Sequence, residues 1–195
     1  MVVRQGARAG GNPSKPSFLP TICSVSKTFE ETVARFLENS EFRISLVGDQ
    51  RFLTAFLAYS PGRFELMRKL HLDCFFNFLG ASTRESSLEL ANLCTGLRTI
   101  TLGFGMYGLC DVVDVTETTY RIKPHSAAHL FPKCEFQHLL GCDMLRSIII
   151  IWVTYRIDSF KTAGLAAKAL GRKLEQEFAA KKPKQVVTVT CKQGW

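Results

Sequence analysis

The chain has no long apolar run. Its most apolar stretch, Ile148–Val153, lies between Arg146 and Arg156. That is far short of the roughly 20 residues a membrane helix needs. Met1 to Pro16 holds Gly, Arg, Pro and Ser but no apolar core of a secretory leader. The seven cysteines are odd in number and irregular in spacing, which argues against the disulfide framework of a small secreted scaffold. The reading is therefore reduced thiols in an intracellular protein, cytoplasmic or nuclear. There is no dense Arg/Lys run and no RNA-binding signature, so nucleic acid is not expected as a partner. A G-x-S-x-G elbow is also missing, and no spacing pairs a nucleophile with a base. No catalytic residue and no cofactor is expected.

What is present suits an ordinary globular chain. Of 195 residues, 46% are hydrophobic and 22% charged, and fifteen Phe supply aromatic surface to bury. The net charge of +8 is unevenly placed. Residues 1–16 carry Arg4, Arg8 and Lys15 and no acid. Residues 161–195 carry eight Lys/Arg against Glu175 and Glu177, and the middle holds 14 basic and 15 acidic residues. Basic ends on a neutral middle read as solvated ends. The sharper alternative is weak attraction to nucleic acid or an anionic membrane surface.

Three stretches share one pattern, apolar-Arg-x-apolar-x-apolar: Met67–Leu72, Leu97–Leu102 and Leu145–Ile150. The last two follow helix-like segments. A strand recurring behind a helix predicts stacked βα units with one core. Around them, Leu19, Ile22, Val25, Phe29, Val33, Phe36 and Leu37 form a helical stripe with Pro20 in its first turn. Phe42, Ile44 and Leu46 alternate as a strand. Asp49 caps a helix through Phe52–Leu57, which Pro61-Gly62 ends. Ser82–Ser86 offers caps for a helix through Leu88–Leu93, with Gly96 as its stop. Residues 103–131 break the rhythm and read as an insertion with an extra hairpin. Pro132 to Leu140 is expected as a short helix and Thr162–Ala180 as the strongest one, followed by a last strand at Val186–Cys191. Four consecutive Ile suit a central strand covered on both faces. The expected fold is α/β: an irregular leucine-rich-repeat-like stack with a mainly parallel sheet of about five strands, whose crossovers are right-handed. Residues 1–16 form a flexible basic tail and 17–195 one domain.

Several groups of residues invite chemistry. Gly103-Phe104-Gly105-Met106-Tyr107-Gly108 spells G-x-G-x-x-G, but a dinucleotide site needs a helix directly behind it. The run that follows, Leu109 to Val115, prefers strand or loop, so a flexible glycine turn is expected. His125, His129, Cys134, His138 and Cys142 are metal-ligand types. If Cys134, His138 and Cys142 share one helix, they span roughly 12 Å, too far for one ion. A site from His125, His129 and either Cys134 or His138 stays open as an alternative, while the main reading is no metal. Asp111 and Asp114 read as loop acids. Arg68, Arg98 and Arg146 occupy one repeat position and read as strand-edge residues exposed to solvent; the alternative, if the strands stack, is a ladder on one face able to bind acidic groups. Lys69, His71, Thr99, Thr101 and Arg98 would line an open sheet face. The candidate binding residues are thus Arg68, His71, Arg98, Thr101 and Arg146.

The wording of residues 18–105 resembles filamentous-fungal F-box-like proteins. The likeness rests on Phe18–Lys27, Glu30-Glu31-Thr32, Phe36–Ile44, Phe52–Leu57, Arg68–Leu72 and Leu93–Arg98. In that family an F-box comes first and recruits a ubiquitin-ligase adaptor. Only sixteen residues precede the matching segment here. The resemblance therefore implies the leucine-rich-repeat-like recognition part without an evident F-box. It implies a non-enzymatic intracellular module with a protein partner, and it supplies no catalytic residues. The alternative is a small enzyme, or a metal- or nucleotide-binding protein, using Gly103–Gly108 or the His/Cys cluster.

Overall fold

The three repeated stretches lie side by side. In a computed structural model, which describes residues 26–73, 75, 87–115, 120–153 and 157–194, their strands are β2 (Lys69–Leu72), β3 (Thr99–Gly105) and β6 (Ser147–Val153). Lys69 pairs with Thr99 and Thr99 with Ser147; Leu72 pairs with Leu102 and Leu102 with Ile150. Met67, Leu97 and Leu145, which open the three repeats, are all fully buried. Two outer strands complete the sheet: β1 (Glu41–Ile44) beside β2, and β7 (Thr188–Gln193) beside β6. All five run parallel, in the order β1-β2-β3-β6-β7.

Sheet order follows chain order, so the strands never double back. With right-handed crossovers, such a progression puts every connecting helix on the same side. Burial agrees. Phe42, Leu70, Ile100 and Ile148 share one row, Ile44, Leu72, Leu102 and Ile150 the next, and all are buried. Each such Leu or Ile contributes about 1.5–3 kcal/mol relative to exposure. On the other face β6 presents Ile149, Ile151 and Val153 half-buried. β6 is thus more deeply buried on the face it shares with Leu102 than on the other.

The helical layer is built from local signals. The amphipathic α1 (Ser26–Asn39) buries Val33 and Leu37, and Phe36 meets Phe42 edge-on at 5.5 Å. In α2 (Val47–Ala58), Asp49 does cap the helix, but from its third position. Its carboxylate accepts the amides of Ser45 and Leu46 at 3.1 and 3.0 Å. Gly62 then takes φ 81, left-handed, before the one-turn α3 (Arg63–Leu66). Helix α4 (Ser87–Leu93) precedes β3, and α7 (Ile157–Lys181) joins β6 to β7. Small residues let α7 approach the sheet. A Cβ on Gly171 would stand 2.9 Å from Cys191 Sγ, and one on Gly164 would stand 3.2 Å from the Trp152 ring.

The insertion contains the expected hairpin. After the one-turn α5 (Met106–Leu109), β4 (Cys110–Val115) pairs antiparallel with β5 (Tyr120–Pro124). The helix expected at Pro132–Leu140 is instead split. Ser126 caps α6 (Ala127–Lys133), Pro132 falls in its last turn, and Glu135 at φ 54 breaks the chain direction before a 3-10 turn at Phe136–Gly141. No helix among the described residues is long and apolar enough to cross a membrane. The 1–16 tail, the Leu19–Val25 part of the first stripe and the Ser82–Ser86 caps lie outside the described residues.

Candidate binding face

The face opposite the helices is a grid, with strands about 4.8 Å apart and alternate residues about 7 Å apart. Its first row is Glu41, Lys69, Thr99, Ser147 and Thr188. The second is Arg43, His71, Thr101, Ile149 and Thr190, and the third takes in Gly103, Ile151 and Lys192. Glu41, Arg43, Lys69, Thr188, Thr190 and Lys192 are exposed. Polar and charged side chains thus sit toward the two edges and apolar ones on β6.

At the β1–β2 edge four side chains form a brace. Arg43 grips the Asp73 carboxylate through Nε and, at 2.9 Å, through its terminal nitrogen. The Ser45 hydroxyl donates to the same carboxylate at 2.9 Å. His71 Nε2 lies 3.0 Å from Asp73 and His71 Nδ1 lies 3.9 Å from Glu41. Burial would raise the Asp73 pKa, but the hydrogen bonds from Arg43 and Ser45 outweigh it and hold the carboxyl below its ordinary value. His71 is pushed down, first by burial and against the pull of Asp73, so its neutral form is favoured. The Ser45 hydroxyl donates to the carboxylate, not to the imidazole. The cluster therefore joins two strand ends.

The five sequence-predicted binding residues fall into two groups. His71 and Thr101 are neighbours in the second row of the open face. Thr101 is nonetheless 3% exposed, so it offers little surface. Arg68, Arg98 and Arg146 share a rung just before the strands. Arg98 N–H donates to Arg68 O, and Arg146 N–H to Arg98 O, each at 2.9 Å. Thr99 N–H and Ser147 N–H donate to the same carbonyls, at 3.0 Å each, so the chain is not yet extended at this rung. Arg98 stands just before β3, and Thr99, the next residue, lies in the first row of the open face. Arg68 is engaged: it donates to Glu65 O at 2.8 Å, Gly96 O at 3.0 Å and Glu38 Oε1 at 3.0 Å. Arg98 and Arg146 are exposed and have no polar partner among the described residues.

The other sequence candidates are dispersed. Gly103 and Gly105 lie within β3, and behind them comes a single helical turn and then β4, so the flexible turn expected at 103–108 is in fact half strand and half helical turn. Cys134 ends α6, His138 sits in the 3-10 turn and Cys142 follows it, so the three do not share a helix. Burial pushes the Cys134 thiol up to about 12 and the Cys142 thiol to about 11. His125 lies 3.3 Å from Asp111, with its ring 5.2 Å from that of His129. Among the described residues no three His, Cys, Asp or Glu are placed to hold a metal ion.

Sequence reasoning missed the Asp73 brace. Arg43 and Asp73 stand 30 residues apart, and only strand register joins them. The available cue was alternation, which carries the open face from Lys69 and His71 on to Asp73. No protein-family model, no curated protein and no solved structure matches the chain.

Proposed function

We propose that the chain is a non-enzymatic protein-interaction module, an irregular leucine-rich-repeat-like stack that receives a protein partner on the open face of its sheet. The observation that carries this reading is that, among the described residues, a five-stranded parallel sheet is buried more deeply on one face than on the other. Parallel sheets are ordinarily covered on both faces. Here Thr188, Thr190 and Lys192 stand exposed beside the half-buried Ile149, Ile151 and Val153. A rigid surface with an apolar centre and a polar rim has the anatomy of a protein-binding patch. The resemblance of residues 18–105 to the recognition part of fungal F-box-like proteins points the same way.

The test compares proteins retained from a lysate of the source cell by the immobilised chain and by variants that keep its circular dichroism. Ile149→Arg and Thr190→Arg should abolish retention of the bound set. Leu165→Arg, on the exposed side of α7, should preserve it. Equal retention by all of them would remove the open face as the binding surface.

A further inference from the structure

We propose that Arg98 and Arg146 form the anchor for an acidic peptide segment, one whose Asp or Glu side chains lie across the strand starts of β3 and β6. This rests on the reading of the chain as an interaction module and names the chemistry of its partner.

The two guanidinium groups belong to one rung of adjacent parallel strands, with backbones joined by the 2.9 Å bond from Arg146 N–H to Arg98 O. Their Cα atoms are therefore about 5 Å apart. Guanidinium groups carried on such neighbouring backbones have the same sign, and an anion within reach of both is attracted by each. Each guanidinium presents a planar fork that matches a carboxylate with two hydrogen bonds.

Charges near this rim leave the pair uncompensated. Glu38 is taken by Arg68 and Asp143 by Lys182. Arg68 shows what the same rung position does when it is satisfied internally: its three partners are Glu65 O, Gly96 O and Glu38. Neither Arg98 nor Arg146 has an equivalent set among the described residues.

The pair is also bounded, and that decides the class of ligand. On one side Arg68 is neutralised by Glu38. On the other side the rung continues to Val187, which is buried. Two adjacent cations suit one or two carboxylates. A nucleic-acid backbone needs a longer basic track, and two contacts give it little salt-dependent affinity. The next row, one residue along the strands, holds Thr99, Ser147 and Thr188. These hydroxyls can hydrogen-bond a peptide that continues from the rim onto the open face.

The experiment pans a phage-displayed library of random peptides against the whole protein. Enriched sequences are then made as fluorescein-labelled peptides and titrated by anisotropy. Arg98→Glu and Arg146→Glu are the test variants, each checked by circular dichroism, with the exposed Arg172→Glu on α7 as control. The expected result is enrichment of peptides with adjacent Asp or Glu. Each test variant should weaken them about tenfold, the control should not, and added salt should weaken the wild-type complex. Acid-free peptides weakened by Ile149→Arg, but not by Arg98→Glu, would overturn the anchor and leave the module reading standing. Peptides weakened by none of these variants, or none enriched at all, would overturn both. Tighter binding of a single-stranded oligonucleotide than of any acidic peptide, lost in Arg98→Glu, would replace the peptide with nucleic acid.

Discussion

Arg98 donates its backbone N–H to the carbonyl of Arg68 at 2.9 Å, yet the two guanidinium groups have opposite fates. The side chain of Arg68 is tied to two carbonyls and a carboxylate, which holds α3, the start of β3 and α1 together. That of Arg98 is exposed. Position in the repeat is shared; the surroundings are not.

Substitution should separate these fates. Arg68→Ala removes hydrogen bonds to the exposed Glu65 O, the part-buried Gly96 O and the Glu38 carboxylate, and should cost about 1–2 kcal/mol. Arg98→Ala removes an exposed group and should stay within about 0.5 kcal/mol. Urea unfolding midpoints at equal m-values measure both. A loss on Arg98→Ala as large as that on Arg68→Ala would contradict the structural role assigned to Arg68 alone.

Gly96 should tolerate no side chain. A Cβ there would stand 1.8 Å from Glu65 O, which is backbone, and 2.3 Å from the Arg68 guanidinium. Gly96→Ala must either displace α3 or break the Arg68 contacts, so a loss of about 1–3 kcal/mol is expected. Thermal unfolding of Gly96→Ala beside Gly105→Ala checks this, because a Cβ at Gly105 meets nothing within 4 Å.

Acid should destabilise the fold in two windows. His71 lies below its ordinary 6.5 and Asp73 below its ordinary 3.8, so in both cases the unfolded chain binds protons more readily. Stability from His71 is complete above 6.5 and lost as pH falls below it; that from Asp73 is lost as pH falls below 3.8. His125 is also lowered, by burial first, and adds to the upper window. Unfolding free energies of the wild type and His71→Gln, measured from neutral pH to about pH 5, should show a shallower slope in the variant. An unchanged slope would assign the window to His125.

The buried thiols should be inert in the native state. Burial raises Cys94 most and pushes Cys110 and Cys142 to about 11 and Cys134 to about 12. Thiolate is the reactive species, so little of it exists near neutral pH. Iodoacetamide labelling mapped by mass spectrometry should leave these four unmodified until urea is added. Native labelling at the unfolded rate would show that the core around them opens readily.

The repeat was legible because it is local. Apolar positions two apart around a shared Arg mark each strand in isolation, and β2, β3 and β6 then align residue for residue. The hairpin in the insertion was legible for the same reason. Two other features were hidden. A long Ile run is compatible with one covered face or two, and the supposed helix through Cys134, His138 and Cys142 is broken by Glu135, a residue with no special left-handed preference.

By itself the sequence determined the sheet strands and the longer helices, and that three of the strands are equivalent. Those properties follow from side-chain period and from short-range hydrogen bonding. Only the tertiary structure decided that the strands advance in one direction, that Asp73 meets Arg43, and that Arg68 is satisfied while no described residue meets the side chains of Arg98 and Arg146. Each of these depends on which neighbours the sheet brings within about 3–5 Å, and residues some 30 positions apart carry no local signal of that meeting.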